Sequence, residues 1–281
     1  MILQQVGGTA SSVQMMKWAF LLSCETPSHG GKTFYQFIPY RYGPYSFTLN
    51  QETDSLIRNG FLEKGTDNSW RLTPLGERLD TTLPNDVSKD ICKITATYGR
   101  LSGQKLINLI YDKYSWFTIN SELPGMRQEE RPVADRCIYT AGYEGKTIDE
   151  FLNLLMESGI YRLVDVRYNP ISRRYGFHKS TLSRLCSSLK IDYQHFPGLG
   201  IPGSEREHIG SENQYVKLFE NYRLKLSSYD KDIAHVIRLL KSEPSVLVCM
   251  EANPNFCHRN VLAQHLATLI DMPIKNLGYS T

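Results

Sequence analysis

Residues 246–266 read VLVCMEANPNFCHRNVLAQHL, which sets two cysteines, a glutamate, a histidine and an arginine between two apolar runs. Three chemistries suit those residue types. In the first, a thiol beside Arg259 at the start of a helix ionises readily, so Cys249 or Cys257 acts as a nucleophile. His258 then serves as base or proton donor, and Glu251 orients it. The structural alternative is a pair of small buried residues that close a turn. The second chemistry is metal binding, which needs three or four converging donors. Cys249, Cys257, His258 and Glu251 are available, but adjacent side chains such as Cys257 and His258 seldom point the same way. The His-x-Glu…Pro-Cys-x-x-Cys pattern of zinc deaminases is also missing. No metal and no other cofactor is expected.

The third chemistry sets carboxylates in a cationic frame. Asp165, Glu251 and Glu144 are candidate catalytic carboxylates, with His258 beside them. Tyr143, Arg167, Tyr168, Arg173, Lys179 and Arg259 are candidate substrate or phosphate binders, with His178 nearby. A carboxylate can stabilise an oxocarbenium-like centre or activate water, while arginines hold phosphates. That combination suits cleavage of an N-glycosidic bond in a nucleotide or an extruded base. An Asp165–Arg167 pair that merely ties one loop to its neighbours is the structural alternative. His195, Arg206 and His208 lie in a long polar loop and either line a cleft or face solvent.

These residues are brought together only if the elements around them alternate. The spacing predicts strands at 137–140, YRLVDVR, IDYQHF, SVLVCME and IKNLGY. Between them it predicts helices at TIDEFLNLLMESG, KSTLSRLCSSL, NQYVKLFENYRLKL, KDIAHVIRLLKSE and HRNVLAQHLATLI. Thr147, Glu150 and Gly159 frame the first helix as a capping box with a glycine stop. Such alternation predicts an α/β domain with a mostly parallel sheet flanked by helices. Sites in these sheets form beyond the carboxyl ends of the strands. That rule gathers three loops at one edge: 142–146, 165–179 and 249–259.

The first half reads differently. A helix starts near Ser11 or Ser12, a second covers TLNQETDSLIRN before Gly60, and FLEKG and SWRLT form a hairpin. Thr73 and Pro74 open a further helix. The phrase LIRNGFLEK…WRLTPLGERL resembles winged helix-turn-helix domains over residues 12–83. FYQFIPYRYGPYSF resembles the segment before the second helix in phage- and toxin-associated relatives of such domains. The resemblance implies a mainly helical winged-helix domain at 1–123 with a helical tail. It makes Arg41, Arg58, Lys64 and Arg71 candidate phosphate contacts. The Pro- and Gly-bearing, charged stretch 124–136 is the expected linker, and 137–281 the α/β domain.

The motifs GYEG, DVR followed by P-x-S, and C-x-E-x-x-P-x-x-C-H-R resemble the domain of unknown function 488 family, in order, from Ile138 to about Leu266. The family's name implies a fold and no activity. A weaker likeness to rhodanese-type domains rests on the DVR strand end and the later cysteine loop. Here that loop is longer and the glycine-rich anion cradle is missing, which argues against persulfide or phosphate-ester chemistry.

The bulk numbers bound these readings. The 281 residues suit two domains, with 41% hydrophobic and 22% charged residues. A formal charge of +3 permits nucleic-acid binding without demanding it, and 17 tyrosines suit amphipathic interfaces. The six cysteines are scattered with no CxxC pair, and no leader or membrane span is apparent, so a reduced cytoplasmic protein is expected. The leading expectation is a hydrolase of N-glycosidic bonds in nucleic acid, DNA favoured over RNA, in DNA repair, modification or phage defence. A ligand-sensing DNA-binding regulator and a rhodanese-like thiol-dependent transferase stand as alternatives. No membrane partner is expected.

Overall fold

The computed structural model describes residues 1–80, 82–206 and 212–279, with the side chains of 212 and 213 left aside. The chain forms two compact units, Met1–Glu130 and Arg131–Thr281. The division falls inside the stretch expected to be a linker.

The first unit opens with a short helix α1 (Ile2–Gln5), strand β1 (Thr9–Ser11) and helix α2 (Ser12–Glu25). Ser11 caps α2 in a reciprocal box with Gln14. Every residue from Met16 to Leu22 is buried, so α2 is packed on all sides instead of showing one apolar face. A small hairpin, β2 (Ile38–Tyr40) and β3 (Gly43–Tyr45), leads to helix α3 (Phe47–Arg58). Gly60, at a φ of +76°, turns the chain after α3 where a side chain would be strained. Strands β4 (Leu62–Lys64) and β5 (Ser69–Leu72) follow as an antiparallel hairpin, and β1 adds to β5. The single-turn helix α4 (Pro74–Glu77) starts on the Thr73 cap and Pro74. Helices α5 (Asn85–Tyr98) and α6 (Gly103–Lys113) pack against α2. This core buries one cation, Lys17, whose ammonium donates to the Pro44 carbonyl at 2.9 Å. Burial pushes its pKa down to about 7.

The second unit alternates as expected. Its elements are β6 (Ile138–Gly142), α7 (Ile148–Glu157), β7 (Arg162–Asp165), α8 (Lys179–Ser188), β8 (Asp192–His195), α9 (Glu212–Leu226), α10 (Asp230–Ser242), β9 (Ser245–Cys249), α11 (His258–Ile270) and β10 (Ile274–Leu277). The five strands form a wholly parallel sheet in the order β10-β6-β9-β7-β8. All five residues of β6 and of β9 are buried, as expected for strands covered on both faces. Thr147 and Glu150 form the capping box of α7. Gly142 pairs with Cys249, and Asp165 with Val248. The register therefore ends β6, β7 and β9 together and places their following loops at one sheet edge. Among the described residues, no helix is long and apolar enough to cross a membrane.

Candidate functional site

The three loops meet at that edge in two side-chain clusters. The first centres on Asp165, which is fully buried at the end of β7. Arg167 grips it with Nε at 2.8 Å and Nη2 at 2.5 Å, and the Arg167 backbone N–H adds a third bond. The Tyr193 hydroxyl donates a fourth, at 2.6 Å. The remaining Arg167 nitrogen, Nη1, bonds the Tyr143 hydroxyl and the Phe177 carbonyl. Tyr143 stacks on Phe177 with centroids 4.1 Å apart. Burial opposes the charge of Arg167, but Asp165 outweighs it and raises the arginine's pKa. Asp165 and Arg167, expected as a catalytic carboxylate and a phosphate binder, are held here in a buried ion pair. Both carboxylate oxygens are committed, and none of the residue is exposed.

The second cluster is built on the turn between β9 and α11. Cys249 ends the strand, Cys257 occupies the N-cap of α11 and His258 is its first residue. Both thiols donate to one oxygen of Glu251, Oε2, from 3.0 Å (Cys249) and 2.9 Å (Cys257). Arg206 bonds the other oxygen at 2.7 Å and reaches His258 Nδ1 at 2.8 Å. His258 Nε2 faces the Val166 carbonyl at 2.9 Å, and Cys249 Sγ lies 3.8 Å from Nδ1. An arginine has no proton to accept, so Nδ1 is the acceptor and Nε2 carries the hydrogen in this arrangement. His258 is therefore neutral here.

Electrostatics separate the two thiols. Cys257 first, and then His258, favour loss of the Cys249 proton and lower its pKa well below the usual thiol range, against its burial. Burial and the charge of Cys249 keep Cys257 well above it. Burial disfavours charge on His258, yet a negative Cys249 raises its pKa on balance. A second proton on His258 requires Arg206 to release Nδ1, so the neutral ring is the form consistent with these contacts.

Cys249, Glu251 and Arg206 line a cleft of about 220 Å³ together with Tyr143 and Arg167. Tyr168, Ile171 and Met250 add exposed lining, at 50%, 67% and 47% of their full accessibility. Glu251 is the one carboxylate among the described lining residues. Glu144 is exposed outside the cleft and accepts the Ala252 N–H at 2.9 Å, bracing the loop. Arg259, expected to bind phosphate, is buried and donates to the Glu251 and Ala252 carbonyls. It shapes the turn from inside. Gly142 makes the same turn possible, because a Cβ there would lie 1.9 Å from the Glu251 carbonyl oxygen.

Other expected residues lie apart. Lys179 bonds His195 Nδ1 at 2.9 Å, and His195 bonds the Arg167 carbonyl, so both brace the loop after β7. Arg173 and His178 are exposed outside the cleft lining. His208 lies outside the described residues. Of the two places open to Arg206, the cleft is the one it takes; Tyr193 is a contact the sequence analysis missed. The period-two alternation of IDYQHF was the available signal for Tyr193, since it marks alternate faces. No local pattern announces Arg206.

One expectation is overturned by the turn's geometry. Cys257 and His258 do point the same way: Cys249 Sγ, Cys257 Sγ and a ring nitrogen of His258 all lie within 4.8 Å of one another. The N-cap residue and the first helical residue straddle a bend, so adjacency does not separate them. In the first unit, Arg41 pairs with Glu122 and Arg71 with Glu63, each at 3.3 Å. Arg58 and Lys64 are exposed with no ion pair among the described residues.

Residues 147–266 match the family described as Domain of unknown function DUF488. The match runs from the N-cap of α7 into α11 and includes Asp165, Arg167, Tyr193 and the Glu251 cluster, but neither Tyr143 nor Glu144. No curated protein and no solved structure matches the chain.

Proposed function

We propose that the C-terminal unit is a thiol-dependent transfer enzyme with Cys249 as its nucleophile. The observation that carries the reading is that Cys249, buried but among the cleft-lining residues, holds its Sγ 3.0 Å from a Glu251 oxygen and 3.8 Å from His258 Nδ1. A nucleophile within reach of a base that a third group orients is the general arrangement for covalent catalysis. The Cys249 sulfur forms a bond to the electrophilic atom of a donor molecule. The bond from that atom to its leaving group breaks, and the leaving group departs with the electron pair. Glu251 takes the thiol proton, with His258 as the alternative once Arg206 has moved. A second nucleophile then releases the transferred group. Cys257, on the same carboxylate oxygen, is placed to do so as a thiol.

This reading is preferred over N-glycosidic cleavage, which would draw on a free carboxylate in the cleft. The cleft offers Glu251, already held by Arg206 and two thiols. The test is site-resolved alkylation by iodoacetamide, read by mass spectrometry of the peptides. Cys249 is expected to label ahead of the exposed Cys24 and Cys92, and Cys257→Ser is expected to keep that labelling. Labelling of Cys24 and Cys92 with Cys249 untouched would remove the proposal.

A second reading concerns the first unit. We infer that it engages nucleic acid through α3 and the β4–β5 hairpin. The order of a helix followed by a hairpin supports this, as do the exposed, unpaired Arg58 and Lys64 on those elements. Duplex DNA binding followed by fluorescence anisotropy tests it. Arg58→Ala and Lys64→Ala are each expected to weaken binding and to flatten its salt dependence by about one unit of slope. Identical binding curves for wild type and both variants would exclude these contacts.

A further inference from the structure

The Glu251 cluster has a second use that needs donors and no reactivity. We propose that Cys249, Cys257, His258 and Glu251 form a site for a divalent transition metal, zinc by preference, which takes the place that the Arg206 guanidinium holds in this arrangement. Three observations converge on it.

The donors lie close to the right separations. Zinc–sulfur bonds of about 2.3 Å and zinc–nitrogen bonds of about 2.0–2.1 Å put tetrahedral donors roughly 3.5–3.8 Å apart. Cys249 Sγ and His258 Nδ1 are 3.8 Å apart. The two sulfurs stand 3.0 and 2.9 Å from Glu251 Oε2, so they open by about half an ångström as their protons leave.

The histidine is already oriented as a ligand. Its Nε2–H donates to the Val166 carbonyl, which leaves the Nδ1 lone pair pointing into the cluster. That outer bond to a backbone carbonyl is the usual way a metal-binding imidazole is fixed. Arg259 adds a further constraint by holding the loop carbonyls at Glu251 and Ala252.

Finally, the position calls for a cation and holds one imperfectly. Arg206 spans Glu251 and His258 Nδ1, yet its Nε is buried with no hydrogen-bond partner among the described residues. Its side chain is one-third exposed, so it can withdraw. Binding is an exchange. The metal gains two thiolates, one imidazole and one carboxylate; two protons go to solvent; the guanidinium returns to the cleft. Thiolate and imidazole donors select zinc over magnesium or calcium, which prefer oxygen.

The test uses the full chain, stripped of metal and titrated anaerobically with cobalt(II). One equivalent is expected to give thiolate-to-cobalt charge-transfer absorption with visible d–d bands, and zinc is expected to abolish both. Cys257→Ser and His258→Gln should weaken binding by at least about tenfold. Arg206→Gln, which keeps every donor, should bind more tightly than wild type. Absence of the charge-transfer band at one equivalent overturns the inference. So does a band that persists unchanged in Cys257→Ser, which would place cobalt on other thiols. Circular dichroism of each variant separates lost ligands from lost fold. Alkylation of Cys249 in the metal-free protein tests the thiol reading separately, so either proposal can fail without the other.

Discussion

The two clusters at the sheet edge are built from similar parts and differ in how completely they are satisfied. Around Asp165, one arginine and one tyrosine saturate a fully buried carboxylate, and the last arginine nitrogen is used by Tyr143 and Phe177. Around Glu251, two thiols compete for one oxygen, an arginine is shared with a histidine, and the arginine Nε has no partner among the described residues. A saturated cluster has one stable state. A fully satisfied buried network rigidifies its surroundings, and a partly satisfied one does so less. On the reading proposed above, the first cluster is structural and the second reactive.

The largest expected effect breaks the first cluster. Asp165→Asn leaves Arg167 buried without its counter-charge and should cost about 3–5 kcal/mol in urea unfolding. A cost below about 1 kcal/mol would mean that the ion pair is not what holds this edge. Lys17 supplies the contrasting case of a buried cation with no carboxylate partner among the described residues. Its folded pKa of about 7 lies below its ordinary value of 10.5. Between those limits the unfolded chain binds the extra proton, so the wild-type protein gains stability as pH rises from 7 towards 10.5. Lys17→Met should remove that rise and, near pH 6, stabilise the protein by about 2–4 kcal/mol. Parallel stability–pH curves for the two proteins would show that Lys17 is charged in the fold. The smallest of the three is Tyr193→Phe, which deletes one donor to Asp165 and should cost about 1.5 kcal/mol. No measurable cost would mean that Arg167 alone satisfies the carboxylate.

Much of this frame was legible in the chain. Strand–helix alternation predicted the parallel sheet, and the carboxyl-edge rule brought together three loops separated by up to about a hundred residues. Thr147 with Glu150 and Thr73 with Pro74 start their helices as the capping patterns predict. The roles of the charged residues were less legible, because partner choice depends on depth. Asp165, Arg167 and Arg259 have the residue types of a phosphate site, and burial commits each to partners inside the protein. Glu144 lies one residue beyond the buried Tyr143 and ends outside the cleft, a difference that sequence does not encode locally. The convergence of Cys257 and His258 depends on the backbone bend at a helix N-cap, which spacing alone does not reveal. Arg206 acts across 45 residues on Glu251, and long-range pairs of that kind leave no periodic signal.

The central claim is that the Glu251 cluster is reactive and the Asp165 cluster structural. It is tested most directly by the rate of Cys249 alkylation in three proteins: wild type, Glu251→Gln and Asp165→Asn, each measured where circular dichroism shows it folded. Removing the carboxylate that takes the thiol proton is expected to slow Cys249 labelling by at least about tenfold, in the range of a lost general base. Asp165→Asn is expected to leave the rate within about twofold of wild type, since no described contact joins it to the thiols. Equal slowing in both variants, or unchanged labelling in Glu251→Gln, would contradict the account.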